Sequence, residues 1–444
     1  MNAPRPGVAC ARPLSGREEL DEHALHPVLR RLFTALEGQG LRWMLLRMPS
    51  APAAPTGDVD LLVEPHEAVA LRDVAAGVGF VALPGWERPP GLILVCYDRE
   101  SDRWIVLDVA TSVCFRSARF ELDVESTGAL LRRRQVCDGV AMPADGDAFW
   151  LLLLHCLFDK RWIAGHYRQR LLDLAPAALE SPLAATLCVS AGARFGPAQL
   201  VAAAQSEHWE ALAPLGCALA AELRRQATMR RRLALISREL ATRLRKPLLI
   251  RRRRGVSIAL LGPNGVGKST AAAALRGSLP FESRILYMGI WKAANRRYGS
   301  TRRIAEIATR PLRIWLRYVV AQYHQLRGRL VIFDRYVYEA LLPPGSPLTA
   351  TKRIYFWLLA RLVPRPNAVV VLDVAGHVAY ARKQENPPGE LERERRLYAG
   401  LTTQLGSLDV IDAGADADAV RAEITGIIWR ELSARWRGQR LELR

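Results

Sequence analysis

The sequence predicts an α/β protein in three successive parts. An α/β domain spans 25–146, a helical bridge 147–250, and a second α/β domain, a parallel sheet flanked by helices, 251–435, with short tails at 1–24 and 436–444. Three observations carry this prediction. Short apolar runs alternate with segments of helical period in both the first and the last part. The middle holds Leu- and Ala-rich stretches of helical character and no strand-like run. The apolar run 256–261 leads through a glycine-rich turn into an Ala-rich stretch, which is the order strand, loop, helix.

Bulk properties narrow the class. With 444 residues, half of them apolar, the chain is long enough for two or three domains with cores of their own. No apolar run approaches the roughly 18 residues of a membrane span, and residues 1–13 are rich in Pro and Ala without a continuous apolar core. A cytoplasmic protein is expected. The seven cysteines are scattered and odd in number, without a C-x-x-C pair, which argues for reduced thiols over a disulfide framework or a zinc site. The formal net charge is +19, which favours anionic partners. Much of this charge lies between Arg224 and Arg254, opposed only by Glu239. Nucleic acid or an anionic surface could contact that run, but it lacks the interleaved aromatics of a single-strand groove, so a solvated linker helix is the preferred reading.

In the first domain Val28, Leu29, Leu32, Phe33 and Leu36 recur at helical spacing, and a strand is expected at Trp43-Met44-Leu45-Leu46. A second strand holds Asp58-Val59-Asp60-Leu61-Leu62-Val63, a helix runs to about Ala76, and further strands cover 80–83, 91–95 and 104–109. Asp58 and Asp60 are two apart and share a strand face, and Asp108 near the end of a later strand could join them as a metal site. This part resembles the nucleotidyltransferase fold over roughly 25–150. The resemblance implies that the three aspartates hold metal ions. Where that fold carries a phosphate-binding Gly-Ser pair, this chain reads Arg47-Met48-Pro49-Ser50, so a binding or positioning domain is expected over an active transferase.

The bridge follows from the apolar run 149–154, from Leu171, Leu172 and Leu174, and from the Ala-rich stretches 198–204 and 217–221. His155 and His166 lie in it with no partner acid at useful spacing and read as packed or exposed histidines.

The last part carries the chemistry. Gly262-Pro263-Asn264-Gly265-Val266-Gly267-Lys268-Ser269-Thr270 matches G-x-x-x-x-G-K-[ST] in its strand–loop–helix context. Its glycines let backbone N–H groups wrap a polyphosphate at a helix N-terminus, Lys268 suits the β and γ phosphates, and Ser269 suits Mg²⁺. ATP and Mg²⁺ are therefore the expected ligands. Downstream, Leu312, Trp315, Leu316, Val319, Val320, Tyr323 and Leu326 repeat at three and four, which predicts a helix with that face inward and Pro311 in its first turn. The run Leu330-Val331-Ile332-Phe333 is a buried strand that delivers Asp334 and Arg335 to the sheet edge where ligands bind. Asp334 suits Mg²⁺ or an acceptor, and Arg335 offers a planar fork for a phosphate. A strand at 368–374, a polar break at 383–389 among arginines including Arg382, a helix at 390–405 and a strand at 408–412 follow; the break suits a mobile lid.

The phosphate loop, Phe333-Asp334-Arg335-Tyr336, Leu372-Asp373-Val374 and Arg382-Lys383-x-Glu385 together resemble the thymidylate kinase family over about 254–435. The resemblance implies that Lys268 and Ser269 bind ATP and Mg²⁺, that Asp334 and Arg335 sit at the acceptor phosphate, and that Arg382 covers the reaction. It implies phosphoryl transfer to a nucleoside monophosphate such as dTMP. The segment Tyr287-Met288-Gly289-Ile290-Trp291-Lys292 stands where that family carries Arg-x-Pro-Gly-Gly. A sugar, peptide or other small acceptor, or an ATP-operated switch with little turnover, therefore stays open, as does the oligomeric state.

Overall fold

A computed structural model describes residues 25–49, 51–83, 91–118, 120–191, 196–226, 237, 240, 254–290, 300–342 and 350–436. By itself, no helix among them is long and apolar enough to cross a membrane.

The first sheet contains β1 (Trp43–Leu45), β2 (Val59–Val63), β3 (Val81–Ala82), β4 (Gly91–Asp98) and β5 (Arg103–Ala110) in the order β1-β2-β5-β4-β3. Only β2 and β5 pair in parallel. Strand alternation sends Leu92, Leu94, Ile105, Leu107 and Val109 to one face, where α1 (Pro27–Gly38) and α2 (Ala68–Val78) contribute to the same core. Helix α1 buries the five expected residues, and the His26 ring caps it by accepting the N–H of Val28 at 3.3 Å.

Two small hairpins, β6–β7 (Cys114–Phe115 and Phe120–Glu121) and β8–β9 (Gln135–Cys137 and Val140–Met142), flank α3 (Val124–Arg132). Helices α4 (Asp145–Leu154), α5 (Gly165–Leu174), α6 (Pro182–Ala191), α7 (Pro197–Gln205) and α8 (Trp209–Gln226) follow. They share one continuous core with the first sheet. The cause is α4, whose residues 149–154 are all buried, because a helix apolar all round needs partners on every side. Its one buried acid, Asp147, is held by Arg133 and by Ser181 Oγ at 2.6 Å. Of the basic run, Arg224, Arg225 and Arg254 are described; its other arginines and lysine lie outside the described residues. The six described cysteines carry no disulfide.

The second sheet is entirely parallel. It contains β10 (Ser257–Leu261), β11 (Ser283–Tyr287), β12 (Leu330–Asp334), β13 (Ala368–Asp373) and β14 (Asp409–Asp412) in the order β11-β12-β10-β13-β14. The three central strands β10, β12 and β13 are covered on both faces, which is why they read as nearly unbroken apolar runs. Ile258 and Leu260 enter one core with residues of α9 (Lys268–Ser278) and α14 (Ala417–Trp436). Ala259 and Leu261 enter another with residues of α10 (Ser300–Leu326), α11 (Ala350–Arg361) and α13 (Pro388–Leu405); α12 (Gly376–Arg382) precedes α13.

The two sheets are joined through the second face of the first. Val81, Leu83, Ile93 and Val95 belong to the core of α9 and α14. Trp104 sets its ring edge-to-face against Phe281 at 5.4 Å and Trp429 at 5.6 Å, and Arg421 of α14 forms an ion pair with Asp102.

Helix α10 corrects the sequence-based expectation twice. The predicted inward stripe, Leu312 to Leu326, is 37 to 59% exposed, whereas Ile314 and Ala321 are buried against the sheet. Seven residues apart, these two define a narrow seat, and the small Ala321 allows close approach. Periodicity locates a stripe but does not say what covers it. Pro311 lies inside the helix, eleven residues after its first, where it removes one backbone hydrogen bond.

Candidate active site

The loop between β10 and α9 is built by close backbone approach. Gly262 (φ +140°) and Gly265 (φ +83°) adopt conformations that favour glycine; a Cβ on Gly265 would lie 2.4 Å from the Ala379 carbonyl. Pro263 and Val266 are buried and anchor the loop, Gly267 (φ +100°) leads into α9, and Thr270 is exposed on its first turn.

Lys268 is only 6% exposed, and its ammonium donates to the carbonyls of Gly262 at 2.8 Å and Pro263 at 2.7 Å. Burial, and next the positive charge of Arg335, lower its pKa to about 8. The hydroxyl of Ser269 donates to the Asp334 carboxylate at 2.7 Å. Asp334 stands at the carboxyl end of β12 beside Leu260 of β10, the last residue but one before the loop. A hydroxyl and a carboxylate are hard oxygen donors, so this pair fits Mg²⁺.

Arg335 has φ +67°, a left-handed conformation that costs energy for a side chain of its size. The surroundings hold it there. One guanidinium nitrogen donates to the Asn264 side chain in the loop, and another donates to Glu339 at 3.0 Å. Glu339, in a 3₁₀ turn (Val337–Leu341), is 3% exposed; the same oxygen accepts the Tyr398 hydroxyl of α13 at 3.2 Å. Burial opposes the charge on Arg335, but Glu339 prevails and raises its pKa. Burial also raises the pKa of Tyr398. Glu394, one turn earlier on α13, accepts the backbone N–H of Asn264, and burial raises its pKa. A Cβ on Gly289 would lie 2.7 Å from Cδ of Arg335, so this glycine gives the arginine its room.

Glu339, Glu394 and Tyr398 were not singled out by sequence reasoning. Each is brought in by the fold from a separate turn of helix, and no local spacing signals a carboxylate that will meet an arginine across a cleft.

Arg382 is placed elsewhere. It is exposed, and its Nη1 donates to the Ala413 carbonyl at 2.9 Å, just beyond β14. The charges acting on Lys268 are Arg335, Glu339, Asp334 and Glu394. The break at 383–387 does separate two helices, but Arg395 of α13 is committed to Asp373 through a bidentate pair at 2.6 and 2.8 Å. These arginines therefore answer carbonyl and carboxylate groups of the domain.

In the first domain the parallel register sets Asp60 directly beside Asp108, on the face opposite the core that holds Leu61 and Leu107. Asp58 is exposed and precedes β2. The ligand oxygens of the three aspartates are not gathered within 4.8 Å of one another, and Arg47 forms an ion pair with Asp60. Among the described residues the three-donor group with ligand atoms within 4.8 Å of one another is Glu64, His66 and Glu67, not the aspartates. Two of these are already paired, since Arg42 binds Glu64 at 3.0 Å and its N–H binds Glu67 at 2.6 Å.

The parallel sheet, the glycine loop at its centre and the carboxylate on the neighbouring strand define a P-loop α/β arrangement over part of the chain. A stretch of 125 residues is 30% identical to thymidylate kinase of Symbiobacterium thermophilum, taking in 25% of this chain and 57% of that protein. The match thus spans less than two thirds of the relative. Among solved structures, deoxyadenosine kinase from M. mycoides with bound dATP aligns at 17% identity and a TM-score of 0.30, over 39% of this chain and 98% of that one. Thymidylate kinase from Candida albicans aligns at 18% identity and a TM-score of 0.31, over 40% and 93%. No protein-family model matches the chain.

Proposed function

We propose that the chain is an ATP- and Mg²⁺-dependent phosphotransferase that moves the γ-phosphoryl group to a nucleoside monophosphate such as dTMP. The observation that carries this reading is the Ser269–Asp334 hydrogen bond beside the buried ammonium of Lys268, three groups converging on one loop. The similarity to a thymidylate kinase supports the acceptor class.

In this reading the loop N–H groups and Lys268 hold the β and γ phosphates, and a Mg²⁺ ion on Ser269 and Asp334 neutralises charge on them. Arg335, aimed by Asn264 and Glu339, binds the acceptor phosphate and keeps two anions in line. Lys268 shares charge with the transferring oxygens. The first domain serves for binding or positioning, because Arg47 occupies Asp60, the residue an active transferase would need for metal.

The test is label transfer from γ-labelled ATP to dTMP, to other nucleoside monophosphates and to no acceptor, with Lys268→Ala alongside. Transfer to dTMP that depends on Lys268 supports the proposal. ATP binding without any phosphorylated nucleotide rejects it and directs the search to a sugar or peptide acceptor, or to an ATP-operated switch. Labelled triphosphate offered to the first domain should give no Asp60-dependent incorporation.

A further inference from the structure

Helix α13 is tied at successive turns to the carboxyl edge of the parallel sheet and to the segments that follow it. Glu392 accepts the Gly376 N–H at 3.0 Å, Arg395 holds Asp373 at 2.6 and 2.8 Å, and the Tyr398 hydroxyl donates to Glu339 at 3.2 Å. Glu394 has a different target. It accepts the backbone N–H of Asn264, the third residue of the phosphate loop. The loop is itself pressed towards these helices, since the Ala379 carbonyl of α12 would stand 2.4 Å from a Cβ on Gly265.

A carboxylate at that place is where an anion belongs. N–H groups of a glycine-rich loop that leads into a helix turn towards phosphate oxygens. Burial is the largest influence on the Glu394 carboxyl and opposes its charge, whereas the Asn264 N–H, Lys268 and Arg335 favour it. These are the donor and the two cations that phosphates in the site would engage. Three carboxylates act on Lys268, and they differ in what else holds them. Asp334 accepts the Ser269 hydroxyl, and Glu339 is committed to Arg335 and Tyr398. For Glu394 the contact is a loop N–H, and among the described residues no lysine or arginine forms a salt bridge with it. It can leave the loop without breaking an ion pair.

We infer that Glu394 is an internal competitor of the nucleotide: its carboxylate holds the Asn264 N–H, and the phosphate chain of ATP displaces it on entering the loop. One donor does not serve two anions, and their like charges oppose each other at this distance. Only the side chain has to swing, because the Glu392, Arg395 and Tyr398 contacts keep the helix on the domain. The inference rests on the reading that the loop takes ATP, and it is independent of the phosphate acceptor.

The experiment is calorimetric titration of the full chain with Mg²⁺–ATP and, separately, with inorganic tripolyphosphate, for the unmodified protein, Glu394→Gln and Glu394→Ala. Both variants should bind both ligands roughly tenfold or more tightly, Glu394→Ala at least as tightly as Glu394→Gln, since a charged hydrogen bond and a like charge no longer oppose the phosphates. The sign separates two roles. A carboxylate that only braces the loop would, once removed, loosen it and weaken both ligands. Unchanged or weaker binding in the two variants, with ATP bound by the unmodified protein, overturns the inference and leaves the ATP reading standing. Binding by the variants where the unmodified protein shows none supports it. If neither the unmodified protein nor a variant binds ATP, the ATP reading and the inference fall together.

Discussion

The Ser269 hydroxyl and the Asp334 carboxylate are 65 residues apart in sequence and 2.7 Å apart in space. The parallel pairing of β10 with β12 brings them together by setting Asp334 beside Leu260, so the strand that ends in the loop and the strand that ends in the acid finish at the same edge. Two hard oxygen donors at that edge define where a divalent ion would sit.

Ser269→Ala and Asp334→Asn should therefore each lower turnover about a hundredfold, the scale of losing one electrostatic contact to a transferring group. The double variant should lose little more, because the pair acts as a unit. Rates measured against Mg²⁺ concentration check this. Full additivity of the two losses would mean that the residues do not share a metal.

Lys268 gives a pH prediction with a definite sign. Its folded pKa, about 8, lies below the usual 10.5, so between these values the unfolded chain binds more protons than the folded one. Stability contributed at this site thus rises as pH increases from about 8 towards 10.5. Urea midpoints of the wild type relative to Lys268→Met should improve over that window. ATP binding at pH above 8 should take up a proton, since triphosphate favours the ammonium; calorimetry in two buffers of different ionisation heat reads it.

Glu339 should be a stability residue as well as a positioning one. Glu339→Ala leaves Arg335 half-buried without its carboxylate and Tyr398 without its acceptor, and should cost about 3–5 kcal/mol in denaturant titration. Glu339→Gln keeps the shape and should cost less. Its KM for the acceptor should rise more than kcat falls, because Arg335 loses aim.

The two halves should unfold as coupled units. Trp104→Ala removes ring contacts with Phe281 and Trp429, and a cycle of Asp102→Ala with Arg421→Ala should show a coupling of about 1 kcal/mol. Calorimetry of Trp104→Ala should separate into two transitions where the unmodified chain gives one. An unchanged thermogram would mean that this contact does not join the halves.

The phosphate loop was legible in the sequence because its chemistry is local. Glycines at positions of positive φ, a lysine and a hydroxyl follow one another within nine residues, and an apolar run before them can only be a buried strand. For the same reason the strand ending in Asp334 was readable. The contact that Arg382 makes was not, since the carbonyl it binds belongs to a strand end 31 residues away.

By itself, then, the sequence determined most strands of the two larger sheets, the loop and the acid at the sheet edge, all set by periodicity and backbone sterics within a few residues. Only the tertiary structure decided which face of α10 is covered, that Arg335 is aimed by Glu339 and Asn264, and that Arg47 engages Asp60. These outcomes depend on burial and charge pairing between distant segments, and a residue's own neighbours in the chain do not reveal what will pack against it.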